Sequence, residues 1–242
     1  MWSAFFWGLV GGVSLLLGAA LVYLFEISDR VLGAIMAFGA GVLISAVSFE
    51  LVQEATNSTD GDWSVALGLF AGAMTFFIGD FLIDRAGGKN RKSNEPQQSE
   101  EGGTAILLGT VLDGVPESIV IGLSLIGGGT VSAAMVSAVF LSNIPEAVSS
   151  TSGLRASGWS AKKLFGMWSG VALVAGISSL AGFTLFDSAS DELVAFVQAF
   201  AGGALLTMLA DTMMPQAFKL DGKTAGLLTT LGFGVAYAIS AF

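Results

Sequence analysis

One length recurs along this chain and constrains its fold more than anything else. Apolar stretches of about 20 residues, enough for a helix to cross the hydrocarbon core of a bilayer, follow one another from end to end. Eight qualify, at 4–25, 31–54, 63–84, 104–126, 130–152, 161–186, 192–215 and 223–241. Only 12% of the 242 residues are charged, against about 25% in soluble domains. The pattern predicts an all-α membrane protein of eight transmembrane helices in one polytopic domain, residues 1–242. No basic segment precedes the first stretch, which predicts a retained helix and not a cleaved leader. The one long connection, "RAGGKNRKSNEPQQSEEGG" at 85–103, is polar and charged. It predicts a mobile cytoplasmic loop between helices three and four.

Basic residues orient the helices, because Lys and Arg collect on the cytoplasmic side. With the N-terminus outside, the inner segments hold Arg30, then Arg85, Lys89, Arg91 and Lys92, then Arg155, Lys162 and Lys163, then Lys219 and Lys223. These are all ten Lys and Arg of the chain. The outer connections carry only acids: Asp60, Asp62, Asp187, Asp191 and Glu192. Both termini are therefore expected outside the cytoplasm, with the plasma (inner) membrane as the expected location.

A weak repeat adds an expectation about symmetry. Helix two reads "FGAGVLISAVSFELVQEA" (38–55) and helix seven "FAGGALLTMLADTMMPQA" (200–217). Phe, Gly, Leu and Ala coincide at 38/200, 41/203, 43/205 and 55/217. The two helices run in opposite directions. Such a pair fits two inverted three-helix repeats around a central helix pair, a 3+2+3 plan used by transporters. Glycine-rich segments such as "GLVGGVSLLLG" also suit close helix packing, including against a second copy in a homodimer.

The chemistry is defined first by what is missing. There is no His and no Cys, so neither imidazole nor thiolate is available as ligand or base. A net charge of −9 argues against a nucleic-acid partner. Yet seven acids fall within or near the apolar stretches: Glu50, Glu54, Asp80, Asp113, Glu117, Glu146 and Asp211. No Lys or Arg lies at similar depth. A charged residue at the bilayer centre costs about 2.5–3.5 kcal/mol on insertion scales. Acids kept there without bases point to a cation.

The sharpest cluster is a pair of motifs, "VLDGVPESIV" (111–120) and "FLSNIPEAVS" (140–149). Asp113 and Glu117 are four apart and share a helix face, as do Ser142 and Glu146, with Asn143 beside them. The connection "GGGT" makes the two helices antiparallel neighbours, so the motifs can face each other at mid-depth. Pro116 and Pro145 lack an N–H, which frees the carbonyls of Leu112 and Leu141 and predicts a local opening of each helix where it lines a cavity. Carboxylate, amide, hydroxyl and freed carbonyl oxygens would form an oxygen-rich cation site from Asp113, Glu117, Ser142, Asn143 and Glu146. Glu50, Glu54 and Asp211 are secondary candidates. Glu54 and Asp211 are read as lying towards the outer ends of their helices, as entrance ligands or wetted termini. Asp80, near the inner end of helix three, can reach the interface.

These motifs resemble those of the ZIP (Zrt/Irt-like) family of divalent metal transporters. That family has eight helices, both termini outside, a long inner loop after helix three and Pro-Glu motifs on helices four and five. Its helix-four pattern, His-Asn-x-Pro-Glu-Gly, is similar to Asp113-Gly114-Val115-Pro116-Glu117-Ser118. Its helix-five pattern, His-Glu-x-Pro-Glu-Gly, is similar to Ser142-Asn143-Ile144-Pro145-Glu146-Ala147. The family's helix-two ending looks like "ELVQEA" (50–55), and helix seven looks like "DTMMPQA" (211–217). The chain departs from the family where Asp113 and Ser142 replace His and where Gly114 replaces Asn. The family's Glu-Pro-x-Gly on helix six reads "SLAG" (179–182) here, without the acid. The resemblance implies inward transport of a divalent metal ion, zinc by family habit, with a main site at Asp113, Glu117, Ser142 and Glu146. It leaves Asn143 as the remaining ligand of a second subsite. The all-oxygen ligand set suits manganese, iron or magnesium as well.

Two other functions fit parts of the sequence. A relative that binds metal without moving it, as sensor or scaffold, is compatible with the missing His residues. An intramembrane aspartyl protease would want two catalytic Asp residues and Gly-x-Gly-Asp; the text at Asp80 is Phe77-Ile78-Gly79-Asp80, without the first Gly. A serine enzyme would usually need a base such as His. The expected partners are therefore the metal ion and the lipid bilayer, with no cofactor and no enzymatic activity.

Overall fold

The computed structural model describes residues 1–59, 63–85, 100–126 and 129–241. Among them are eight helical rods, each overlapping one of the predicted stretches. They are α1 (Trp2–Leu24), α2 (Asp29–Ser58), α3 (Trp63–Ile83), α4 (Glu100–Leu123), α5 (Ala133–Ala156), α6 (Ala161–Phe186), α7 (Asp191–Asp221) and α8 (Thr224–Ala241). No strand occurs among the described residues. The expected loop at 85–103 lies largely outside them, and α4 already begins at Glu100.

Four starts share one device. Ser28, Ser132, Ser160 and Ser190 precede α2, α5, α6 and α7, and each side-chain oxygen accepts from a backbone N–H three residues on. This satisfies a donor that has no partner within the helix. Between α7 and α8 the chain turns at Gly222, whose φ of 71° suits a residue without a Cβ.

Six rods are long and apolar enough to cross a membrane: α1, α2, α3, α4, α6 and α7. The other two differ for separate reasons. In α8 the apolar run is shorter, Thr224–Ser240. In α5 the apolar character is diluted by polar groups that the fold buries: Ser142, Asn143, Glu146, Ser149, Ser150 and Thr151. A helix that hides this many polar residues forms the inside of a bundle, where they meet other helices and not lipid.

The rods pack in reciprocal pairs. α2 lies along α8 and α3 along α7, while α1 lies along α6. α5 packs on α1 and α2, and α4 packs on α6 and α7. Small residues allow the close crossings. A Cβ on Gly12 would sit 2.6 Å from the Ala172 Cα, and one on Gly72 would collide with the Phe200 carbonyl. The glycines of "GLVGGVSLLLG" are used in this way inside the chain. Gly8 and Gly12 meet α6, and Gly11 meets Val139 of α5. Gly18, the last of that run, meets Ile144 and Ala147. These glycines are therefore not presented to a second copy.

The prolines behave differently from expectation. α4 and α5 continue as α-helix through Pro116 and Pro145. Irregular backbone falls instead in α2 and α7, where the helix widens into π turns at Val47–Gln53 and Leu209–Met213. One wide turn adds a residue without breaking the rod and rotates everything beyond it. Both insertions fall in the weakly repeated segments. The separation from Ser28 to Ser190 equals that from Val47 to Leu209, so cap and π turn recur in the same register.

Candidate functional site

Helical spacing alone assembles the α4 side of the site. Thr110, Gly114, Glu117 and Ser118 recur at three- and four-residue intervals and so share one face. That face lines a small cavity between α4, α5, α1 and α6, together with Asn143 and Gly12. The cavity volume is about 10 Å³, roughly the space of one water. Glu117 is only 2% exposed and Asn143 only 7%.

Two cross-helix hydrogen bonds fix the arrangement. The Thr110 hydroxyl donates to Glu146 Oε1 at 3.1 Å, joining α4 to α5. The Asn143 Nδ2 donates to the Gly11 carbonyl at 3.2 Å, which sets the amide against α1. Thr110 and Gly11 are not candidates from the motifs. Thr110 carried one usable signal, its position two turns before Glu117 on the same face. Gly11 contributes a backbone oxygen, and no residue-type argument identifies that.

The candidates from sequence divide into three places. Glu117 and Asn143 line the cavity, and Glu146, 8% exposed, is tied to it through Thr110. Asp113 and Ser142 are buried in the same two helices but do not line it. Ser142 donates to the carbonyl of Val139 in its own helix at 3.0 Å. Among the described residues no three acidic side chains come together as a group able to hold a metal ion.

Glu50 and Glu54 belong to a second, open cleft of about 360 Å³ at the far end of α2, with Gln53, Asn57, Tyr237 and Ser240. There Glu50 accepts from Ser132 at 2.8 Å and from Ser240, so one carboxylate ties α2 to the start of α5 and the end of α8. Asp211 does not share that end. The last turn of α7 lies against the first turn of α2, where Arg30 meets Asp221 at 3.5 Å. α7 therefore runs opposite to α2, and Asp211, exposed in its π turn, lies towards the end that carries Lys219.

The departures from the motif pattern also have structural settings. A Cβ at Gly114 would meet nothing within 4 Å. Ser179, by contrast, is fully buried where α6 meets Gly8 of α1 and Gly122 of α4. A longer acid there would have to displace backbone.

The fold and site together describe an all-helical chain with membrane-length apolar rods and a buried acidic centre at a helix crossing. No family model matches the chain. It is 25% identical over 207 residues to a protein of Arabidopsis thaliana named "Putative zinc transporter", a match that covers 84% of this chain. The chain spans about a third of that relative's length, 32%.

Proposed function

We propose that this protein carries divalent metal cations across a membrane, inward and without ATP, in the manner of the ZIP family. The observation that carries the proposal is the burial of two carboxylates, Glu117 and Glu146, in the middle of the bundle. Both are buried and lie on different helices; Glu117 lines the small cavity, and Thr110, which also lines it, donates to Glu146. Neither α4 nor α5 brings a base to that depth; Arg155 stands at the last turn of α5. Two carboxylates match the charge of one divalent ion, and Asn143 adds a neutral oxygen. The similarity to a protein named as a zinc transporter supports metal transport in general terms.

The reciprocal packing of α2 with α8 and α3 with α7 supports a 3+2+3 architecture in which all eight rods span the membrane with both termini outside. In that orientation a divalent ion moving inward through 100 mV gains about 4.6 kcal/mol, twice the single-charge value. The oxygen-only ligand set suits Mn²⁺, Fe²⁺ or Mg²⁺ along with Zn²⁺.

Uptake of Zn²⁺ and Mn²⁺ into proteoliposomes tests the reading. Wild-type protein should load the vesicles, while Glu117→Gln and Glu146→Gln, folded by circular dichroism, should not. Folded wild-type protein that moves none of several divalent ions refutes transport. Metal binding without uptake would assign a sensing role instead.

A further inference from the structure

α5 carries a buried polar stretch that the acids at its centre do not account for. Ser149 and Ser150 stand three and four residues beyond Glu146, so they continue its helix face. They are 0% and 1% exposed. The stretch leads from Glu146 towards the end of α5 that carries Arg155. In the other direction, beyond Ser142, the buried positions Met135, Ala138 and Val139 are apolar. The Gln216 Nε2 of α7 donates to the Ser149 hydroxyl oxygen at 3.3 Å. That bond crosses a place with little helix packing, since the last turns of α7 lie on α2 and α8 while α5 lies on α1 and α2.

The backbone behind Gln216 is suited to bending. Pro215 precedes it directly, and the π turn Leu209–Met213 ends two residues before that proline. Prolines and π turns are where helices kink. Gln216 also stands at the repeat position of Glu54, in the register of the pairs 38/200 and 55/217. Glu54 lines the open cleft of about 360 Å³, whereas Gln216 closes on Ser149. Matched positions of the weak repeat are thus open at one end of the bundle and shut at the other. We propose that the Gln216–Ser149 hydrogen bond is the inner gate of the ion path, closed in this structure, and that it opens when the last turns of α7 swing away from α5. The inference rests on the transport reading above and adds how the ion is released. A cation leaving Glu146 towards the inner surface meets Ser149 about 4.5 Å further along the helix axis. A single bond between neutral groups is weak enough to break in every cycle.

The chain has no Cys, so two introduced thiols report on this contact alone. The test uses the full chain in proteoliposomes with Mn²⁺ as probe. Ser149→Cys combined with Gln216→Cys, joined by a short bifunctional methanethiosulfonate, should lose Mn²⁺ uptake and keep its Mn²⁺ affinity by calorimetry. A reductant should restore uptake. Arg30→Cys with Asp221→Cys, joined in the same way, ties α2 to α7 away from the path and should transport as it does before linking. Gln216→Leu, folded by thermal melt, should speed the release of pre-bound Mn²⁺ to a chelator inside the vesicles by about two- to tenfold, the shift expected from losing one neutral hydrogen bond. Gln216→Glu can accept the Ser149 hydroxyl proton and should stay near wild type. Undiminished uptake by the linked Ser149→Cys, Gln216→Cys protein, an equal loss in the linked Arg30→Cys, Asp221→Cys control, or an unchanged release rate in Gln216→Leu overturns the gate and leaves transport standing. Folded wild-type protein that takes up neither Mn²⁺ nor any other divalent ion removes both.

Discussion

Replacing Thr110 by Val removes one hydroxyl and little else. The side chain is 3% exposed, and its partner Glu146 is 8% exposed. The bond between them is 3.1 Å long and crosses from α4 to α5. A hydrogen bond to a charged group contributes roughly 1.5–3 kcal/mol. Tenfold in affinity corresponds to about 1.4 kcal/mol. If Thr110 holds the Glu146 carboxylate in its ion-binding position, Thr110→Val should weaken metal binding about ten- to hundredfold. Thr110→Ser retains the hydroxyl and should stay close to wild type. Titration calorimetry with Mn²⁺ or Zn²⁺ on purified protein measures this directly, and a thermal melt in the same detergent checks that the fold survives. A Thr110→Val affinity within about twofold of wild type would refute the positioning argument, and with it the claim that Glu146 belongs to the cavity's chemistry.

Other outcomes follow from the same geometry. Ser142→Ala should leave uptake within a few-fold of wild type, because its hydroxyl is bonded within its own helix; initial-rate transport assays check this. Gly12→Ala should destabilise the bundle by about 1–3 kcal/mol through overpacking, since its Cβ would reach the Ala172 backbone, while Gly170→Ala, with nothing within 4 Å, should not; denaturation midpoints in detergent distinguish them. Protons should compete with metal for Glu117 and Glu146, so affinity should fall as pH is lowered. Calorimetry in buffers of different ionisation enthalpy counts the protons released, and their absence would contradict the competition.

Much of the helical plan was readable because a bilayer-length apolar stretch is a local property. All eight predicted stretches correspond to helical rods, although α4 begins at Glu100, inside the expected loop, and α2 runs on to Ser58. The spacing of the Pro-Glu motifs singles out Glu117 and Asn143, which line the small cavity, and Glu146, which accepts from the lining residue Thr110. Spacing also brought in Asp113 and Ser142, which are buried but do not line the cavity. Which of two buried positions faces a given void depends on the rotation of the whole helix. The prolines misled for a related reason. A missing N–H weakens one turn, but neighbouring groups can hold the helix together, and α4 and α5 run through theirs.

The sequence by itself determined where helices form, because apolar length is a local property, and it placed acids without bases in the apolar stretches. Only the tertiary structure decided that Thr110 holds Glu146, that the Gly11 carbonyl orients Asn143, and that Gly114 faces open space while Gly12 does not. These outcomes depend on the depth and rotation at which helices cross. Glycine contacts and the π turns of α2 and α7 adjust both by a few ångströms, and they act between residues far apart in the chain.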